Sequence, residues 1–201
     1  MILEGGLHSA EALLWARYFM FTQLYFHPIR RVYDIHLKTF LKEWLPGGAF
    51  STDLEKHLQM TDNEVMAALL FAARQPDLPG HVPARRLVNR DHFRILYERN
   101  PDDVKMNPEA AKAVFEEASC RYNGTNVYYD SYRETSRAID FPVLTRDGRI
   151  VSCLALSDTL NRVPIVAVDF VFIAPDLRND ACVWLQKELP TIIAREKEES
   201  P

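Results

Sequence analysis

The 201-residue sequence is 47% hydrophobic and 26% charged, which is the composition of an ordinary soluble globular protein with enough apolar residues for a core. Its net charge of −4 argues against nonspecific nucleic-acid binding as the main activity. The three cysteines lie far apart without metal-ligand spacing, and the first residues do not form a secretory signal. We therefore expect a cytoplasmic chain with reduced thiols that neither spans a membrane nor binds a specific nucleic acid.

The longest helical pattern runs over residues 6–44 and opens the chain. Ser9 is a candidate cap for its first turn, because a serine oxygen accepts from free helix N–H groups. Pro28 has no N–H to donate, so the pattern predicts a kink near residues 26–27. The first segment is apolar nearly all round, which is typical of a helix buried among other elements.

Arg17 lies inside this apolar segment and shares a helical face with Phe21 and Leu24, with Tyr25 at the edge of that face. A buried guanidinium is costly unless it is paired. Arg17 is therefore expected to meet an anion, which is either a carboxylate of the fold or a bound phosphate.

The rest of the chain divides by pattern. Thr61 and Glu64 form a capping box before an apolar run, which predicts a helix. Residues 100–108 look like a turn-rich linker, and Asp147-Gly148 predicts a tight hairpin. An apolar strand is expected at 165–173, and an amphipathic helix with a charged end follows it.

The predicted fold is α+β and mainly helical. A long N-terminal helix, kinked near Pro28, lies in a helical region of residues 1–92. A small α+β module with an antiparallel sheet follows over residues 93–201.

The stretch SAEALLWARYFMFTQLYFHPIRRVY, residues 9–33, resembles the helix that follows the catalytic core of HD-domain deoxynucleoside triphosphate triphosphohydrolases. These include bacterial dGTPase-like enzymes and an animal relative with a sterile-alpha-motif domain. Arg17, Tyr25 and His27 match the spacing of Arg, Tyr and His in that helix. The similarity continues more weakly through residues 60–74 and 85–98.

The resemblance implies two roles near a substrate. Arg17 matches an arginine that contacts the substrate triphosphate, and Tyr25 matches a tyrosine beside the nucleotide sugar. The alternatives are an internal salt bridge for Arg17 and a core position with a satisfied hydroxyl for Tyr25.

The resemblance also implies a regulatory nucleotide site. His27, Arg90 and Arg94 match positions that hold the phosphates of a regulatory nucleotide in the animal relative. The alternatives are a histidine that caps carbonyls at a helix end and arginines on a solvated face.

The family holds a divalent metal through a His, a His-Asp pair and a further Asp, all before this helix. None of the six histidines here is followed by Asp. We therefore expect no catalytic residue and no metal ligand in this chain. The divalent metal is expected in an HD region outside it, and the chain is expected to be the C-terminal portion of a longer protein or the product of a shortened reading frame.

By resemblance, the whole protein converts a deoxynucleoside triphosphate to a deoxynucleoside and triphosphate, and it forms a homo-oligomer. This chain alone is expected to be inactive. The alternatives are a non-catalytic oligomerisation module and a nucleotide-binding regulatory module.

Two further groups of residues contain side chains with reactive or metal-binding chemistry. Cys120 with His92 suggests a thiol nucleophile, but nothing in the sequence fixes them together. Acidic residues at 102–103, 176 and 180 suggest a metal site, although turns and helix N-termini favour acidic residues anyway.

Overall fold

The computed structural model describes residues 1–133, 140–164 and 166–194, and it has the α+β, mainly helical fold that the sequence predicts. The helices and strands, numbered separately along the chain, are β1 Ile2–Leu3, α1 Leu7–Met20, α2 Pro28–Trp44, α3 Leu54–Gln59, α4 Asp62–Ala72, α5 His81–Val88, β2 Arg94–Glu98, α6 Pro101–Met106, α7 Ala110–Tyr122, β3 Val127–Arg133, β4 Pro142–Leu144, β5 Ile150–Ser152, α8 Cys153–Leu156, α9 Asp158–Asn161, β6 Ala167–Ile173 and α10 Arg178–Ala194. The predicted strand 165–173 corresponds to β6. Residue 165 and the charged end at 195–201 lie outside the described residues.

The chain forms two compact units, and each is built from two chain segments. The first contains residues 1–27 and 130–169, and the second contains residues 28–129 and 170–201. This grouping differs from the division into 1–92 and 93–201 that the sequence patterns suggest, and that division stays a prediction.

The first unit contains a three-stranded sheet in the order β1-β4-β5. β4 and β5 form the predicted hairpin, in which Gly148 has a φ of 81°, a value that glycine adopts without a steric penalty. β1 pairs in parallel with β4, with Ile2 opposite Val143. The hairpin is therefore confirmed, and β1 adds a parallel strand at its edge.

Helix α1 belongs to this first unit, and its inward residues are few. Its first residue, Leu7, is buried in a cluster with residues of β4, α8 and α9: Val143, Cys153 and Leu160. Glu11 accepts a 2.5 Å hydrogen bond from Ser157 Oγ, and this bond is the main cause of the lowered pKa of the Glu11 carboxyl. The predicted Ser9 cap is wrong, because the chain is already helical at Gly6 and Ser9 lies inside the first turn.

The second unit contains β2 with residues 170–173 of β6 and 127–129 of β3, from a three-stranded sheet in the order β2-β6-β3 in which β2 runs antiparallel to β6. Helices α7 and α10 pack on it, and their buried residues share one core with the strands; it includes Leu96, Val114, Ala118, Val127, Val171, Ile173, Ala181 and Leu185. A separate cluster joins α2, α4 and α5 through Phe40, Leu69, Ala72 and Ala84. Each of these helices therefore has at least one face buried within the unit.

Helix caps explain where two helices begin. Thr61 and Glu64 form the predicted capping box, in which the Thr61 N–H donates to Glu64 Oε2 at 2.9 Å. The predicted linker at 100–108 was wrong, because α6 occupies most of it. The side chain of Asn100 accepts from the Asp102 N–H at 2.9 Å, and Pro101 stands at the first helical position, where its missing N–H costs nothing.

No helix in the described ranges is long and apolar enough to cross a membrane.

Gly80 is a point of close packing in the second unit. Its φ is 79°, and its N–H donates to Glu43 Oε2 at 3.0 Å. A Cβ added there would lie 2.7 Å from the ring of Phe40, whose side chain is fully buried. Both the backbone conformation and the packing therefore require glycine at this position.

We predict that Gly80→Ala lowers the free energy of unfolding by about 2 to 4 kcal/mol, because the left-handed backbone and the overlap with Phe40 both oppose a methyl group. Gly47→Ala is the matched control: Gly47 has a φ of 67° and open space around it, so only the backbone cost of about 1 kcal/mol applies. Urea unfolding of both variants measures the difference. Equal losses would contradict the packing argument.

Candidate functional site

The helix that carries the predicted substrate residues ends in a wide turn. Residues Phe21–Tyr25 form a π-helical segment, and the Phe26 N–H donates to the Phe21 carbonyl at 2.9 Å. Thr22 Oγ1 donates a hydrogen bond to the Tyr18 carbonyl at 3.0 Å, so a side chain satisfies this carbonyl of the preceding turn. π-Helical turns occur frequently at functional sites. The predicted break near residues 26–27 is confirmed, since α2 begins at Pro28.

Phe26 fixes the end of this segment. It is buried, and its ring stacks on Tyr132 of the same unit with 4.5 Å between the ring centroids. The side chains that precede Phe26 in the wide turn point largely to the surface, as the exposure of Leu24 and Tyr25 shows. The turn therefore combines one buried aromatic anchor with an accessible face.

Arg17 lies on that accessible face. Its guanidinium carbon is 4.7 Å from the centroid of the Phe21 ring, a cation–π distance. In the described part of the chain, Arg17 forms no ion pair with a carboxylate. The expectation that Arg17 is buried in an all-round apolar helix was wrong, because α1 leaves Leu13 and Phe19 exposed and Arg17 is exposed with them.

Tyr25 continues the same row of side chains. Its ring is 5.2 Å from that of Phe21, so Arg17, Phe21 and Tyr25 follow one another along one face. The structure thus brings the two predicted substrate residues into one row through a shared aromatic neighbour. Arg17 can bind an anionic group through its accessible N–H donors. Tyr25 can pack against a ring-shaped group beside that anion.

The three predicted regulatory residues do not form one described group. His27 is exposed at the end of the first unit, whereas Arg90 and Arg94 belong to the second. Arg90 is exposed after α5, with a φ of 59°. Arg94 is half-buried on β2, and its Nη1 lies 2.8 Å from His92 Nδ1.

Arg94 lines a cleft of about 200 Å³ in the second unit. Arg178 supplies a second guanidinium, His92 an imidazole, and the remaining lining residues are apolar: Pro28, Ile29, Val32, Phe93, Ile95 and Phe172. No carboxylate lines this cleft among the described residues. The cleft therefore suits a small anionic group with an apolar body.

A buried histidine cluster beside this cleft was missed by sequence reasoning. His36 is 1% exposed, and its Nε2 accepts from the Phe93 N–H at 3.3 Å. Burial, followed by the charge of Arg86 and then that of His92, lowers the pKa of His36 to about 4. The available signal was its spacing on α2, where residues 32, 36 and 40 repeat every four positions and are all buried.

His92 is also buried, and its own pKa is lowered, mainly by burial and then by the charge of Arg94. Its ring lies edge-on to Tyr33, with 5.0 Å between the centroids. Both histidines are therefore neutral near pH 7. They contribute hydrogen-bonding ring nitrogens to the second unit and add no charge to it.

The remaining candidates have structural partners. Asp102 pairs with Lys105 at 2.7 Å, Asp103 accepts from the Tyr97 hydroxyl, and Asp180 accepts from the Tyr122 hydroxyl. Cys120 is exposed on α7, whereas His92 is buried against Arg94. Within the described residues no three His, Cys, Asp or Glu side chains are grouped so that they could hold a metal ion.

This chain is similar to known proteins in both sequence and fold. The family model described as HD associated region matches residues 1–125. The uncharacterised protein YwfO of Bacillus subtilis strain 168 is 24% identical over 176 residues, which cover 75% of this chain and 40% of that protein.

Two crystal structures share the fold. A hypothetical protein from Aquifex aeolicus, solved at 2.0 Å resolution, has a TM-score of 0.76 and 25% identity over 92% of this chain and 47% of its own. A phosphohydrolase from Bacteroides thetaiotaomicron VPI-5482 has a TM-score of 0.59 and 19% identity over 86% of this chain and 51% of its own. The chain therefore spans about half the length of these relatives or less.

We predict that acid destabilises the second unit through His36. With a folded pKa of about 4, the folded protein binds fewer protons at His36 than the unfolded chain does between about pH 6.5 and 4. The free energy of unfolding should therefore fall as the pH drops through this range, by on the order of 2 to 3 kcal/mol. Urea unfolding at several pH values measures the slope.

His36→Gln keeps an acceptor for the Phe93 N–H and should flatten this slope. The control is His57→Gln, at an exposed position on α3, which should keep the slope of the parent protein. A slope that is unchanged in His36→Gln would assign the acid sensitivity to other groups.

Proposed function

Since this chain belongs to the HD associated region family, we propose that it is the HD-associated part of a phosphohydrolase that acts on deoxynucleoside triphosphates. In the proposed reaction, water cleaves the bond between the 5′-oxygen and the α-phosphorus. The hydroxyl of the water joins inorganic triphosphate and its proton joins the deoxynucleoside. The similarity of the fold to a phosphohydrolase supports the reaction class, and the substrate is inferred from Arg17 and Tyr25.

The observation that carries this proposal is the row formed by Arg17, Phe21 and Tyr25. Contact with the Phe21 ring orients the Arg17 guanidinium without occupying its N–H donors with a carboxylate. Guanidinium donors pair bidentately with phosphate oxygens, which makes this arrangement suitable for a polyphosphate. Tyr25, on the far side of Phe21, would then contact the sugar.

The described residues do not fit the divalent metal that the family uses, because no group of three candidate ligands is present among them. In this proposal the divalent metal is held by an HD region outside these 201 residues. In this proposal the chain itself contributes substrate binding, through Arg17 for the phosphates and Tyr25 for the deoxyribose.

A second candidate function is a regulatory nucleotide site in the second unit. It is favoured by the cleft that contains Arg94 and Arg178 and no described carboxylate. The resemblance gives Arg94 a regulatory phosphate position, and in this alternative the cleft holds a phosphate group of a nucleotide that is bound and not hydrolysed.

We predict that the chain binds dGTP, and that Arg17→Ala raises the dissociation constant by about tenfold or more, because the phosphates lose a bidentate partner. Isothermal titration calorimetry at several salt concentrations measures this, and binding should weaken as salt rises. Arg85→Ala, which removes an exposed positive charge from α5, is the matched control and should bind like the parent chain.

The outcomes of this titration separate the two candidates. If Arg17→Ala and Arg85→Ala weakened dGTP binding equally, the loss would be explained by the change in net charge. That result would contradict a specific phosphate site. Binding that survives Arg17→Ala and is lost in Arg94→Ala would favour the regulatory cleft. Absence of any dGTP binding by the parent chain would contradict both sites.

We further predict that Tyr25 discriminates between sugars. A ring packed on deoxyribose leaves no room for a 2′-hydroxyl, so Tyr25→Ala should reduce the preference for dGTP over GTP by about tenfold. Tyr25→Phe keeps the ring and should retain most of the preference. Competition titrations with the two nucleotides measure the ratio, and equal ratios in Tyr25→Ala and the parent chain would remove Tyr25 from the sugar site.

A further inference from the structure

Helix α4 has an apolar side chain at every position of its central part. The nine residues 65–73 include no polar or charged side chain. One face of the helix is covered within the second unit, where Leu69 and Ala72 are buried against Phe40 and Ala84. A helix that is apolar all round is normally buried on every side.

The opposite face of α4 is exposed. Met66 is 57% exposed, Leu70 38% and Phe71 60%, and Ala67 lies between them on the same stripe. Ala67, Leu70 and Phe71 lie one, four and five residues after Met66. All four side chains therefore lie on one side of the helix. Within the described residues this outer face of α4, defined by Met66, Ala67, Leu70 and Phe71, has no apolar cover.

We propose that the outer face of α4 packs antiparallel against the same face of a second copy of this chain. A two-fold interface uses one surface twice, so that surface must be complementary to itself. The ends of α4 meet this requirement. Asp62 and Glu64 lie in its first turn, and Arg74 lies two residues beyond its last residue.

In an antiparallel pair centred between residues 67 and 70, the acidic start of one helix faces Arg74 of the other copy. Ala67 then lies opposite Leu70, and Met66 lies opposite Phe71. A small residue opposite a large one lets two helices approach to the usual 8–10 Å. A parallel pair would instead place acidic residues opposite acidic ones, so the charges select the antiparallel arrangement.

The exposed apolar surface also extends beyond α4. A standard interface buries about 800 Å² on each partner, which is more than one helix face supplies. Helix α3 is joined to α4 by only Met60 and Thr61, and its two leucines, Leu54 and Leu58, are 73% and 70% exposed. In this proposal the interface includes α3 as well, because α3 is next to α4 in the chain and also exposes apolar side chains.

The first test measures the mass of the 201-residue chain by sedimentation equilibrium over a wide range of concentrations. The parent chain is expected to form dimers. Met66→Glu should raise the dimer dissociation constant by about 30-fold or more, because a two-fold interface carries the new charge twice. Circular dichroism and thermal unfolding confirm that the variant is folded.

Val183→Glu is the matched control. Val183 is 56% exposed on helix α10 of the same unit, so it introduces the same charge at an equally exposed apolar position away from α4. It should dimerise like the parent chain. A monomeric parent chain, a Met66→Glu variant that dimerises normally, or equal effects of both variants would overturn the proposal.

The second test fixes the direction of the pair by disulfide crosslinking in a Cys120→Ser background, which removes an exposed native thiol. Chains with Ala67→Cys and chains with Leu70→Cys are mixed and oxidised. The antiparallel pair predicts crosslinks mainly between the two kinds of chain. Crosslinks mainly within each kind would indicate parallel helices and overturn the arrangement. The outer face of α4 lies in a different unit from Arg17 and Tyr25, so the inference does not depend on nucleotide binding.

Discussion

The missing N–H of Pro28 is the constraint from which the geometry of the candidate site follows. Pro28 leaves the Leu24 carbonyl without an α-helical partner, and the first helix ends in a π-helical turn over Phe21–Tyr25 before α2 begins at Pro28. That turn places Phe26 in the interior, stacked on Tyr132, while Tyr25 remains exposed. One backbone restriction thus yields both a buried anchor and an accessible face that carries the predicted substrate residues.

Several arginines among the described residues lie over aromatic rings. Arg17 lies over Phe21, Arg86 lies 4.4 Å from the centroid of Phe93, and Arg121 contacts the rings of Tyr122 and Trp184. A ring attracts a guanidinium through its face and leaves N–H donors at the guanidinium edge accessible. In the first unit Arg17 keeps N–H donors accessible beside Phe21, and in the second Arg86 places its positive charge near the neutral His36.

Local signals in the sequence predicted local structure well. The Thr61–Glu64 box, the Asp147-Gly148 hairpin and the Pro28 break are each encoded within a few residues, and each is present. Burial was less predictable, because it depends on what packs against a helix from elsewhere in the chain. Arg17 was expected inside and is exposed, whereas His36 is buried and was overlooked, although its four-residue spacing with Val32 and Phe40 marked it as inward.

The candidate site was predictable only in part, since Arg17 and Tyr25 were selected by resemblance and their shared neighbour Phe21 by helical spacing. The wide turn that follows has one further consequence. A π-helical turn contains one more residue than an α-helical turn would, and one residue of an α-helix corresponds to a rotation of about 100°. A homologous chain that lacked a single residue here could keep its aromatic anchor and would carry its cation on a different side of the helix. The length of this turn, to within one residue, therefore sets the direction in which the first helix presents its charge.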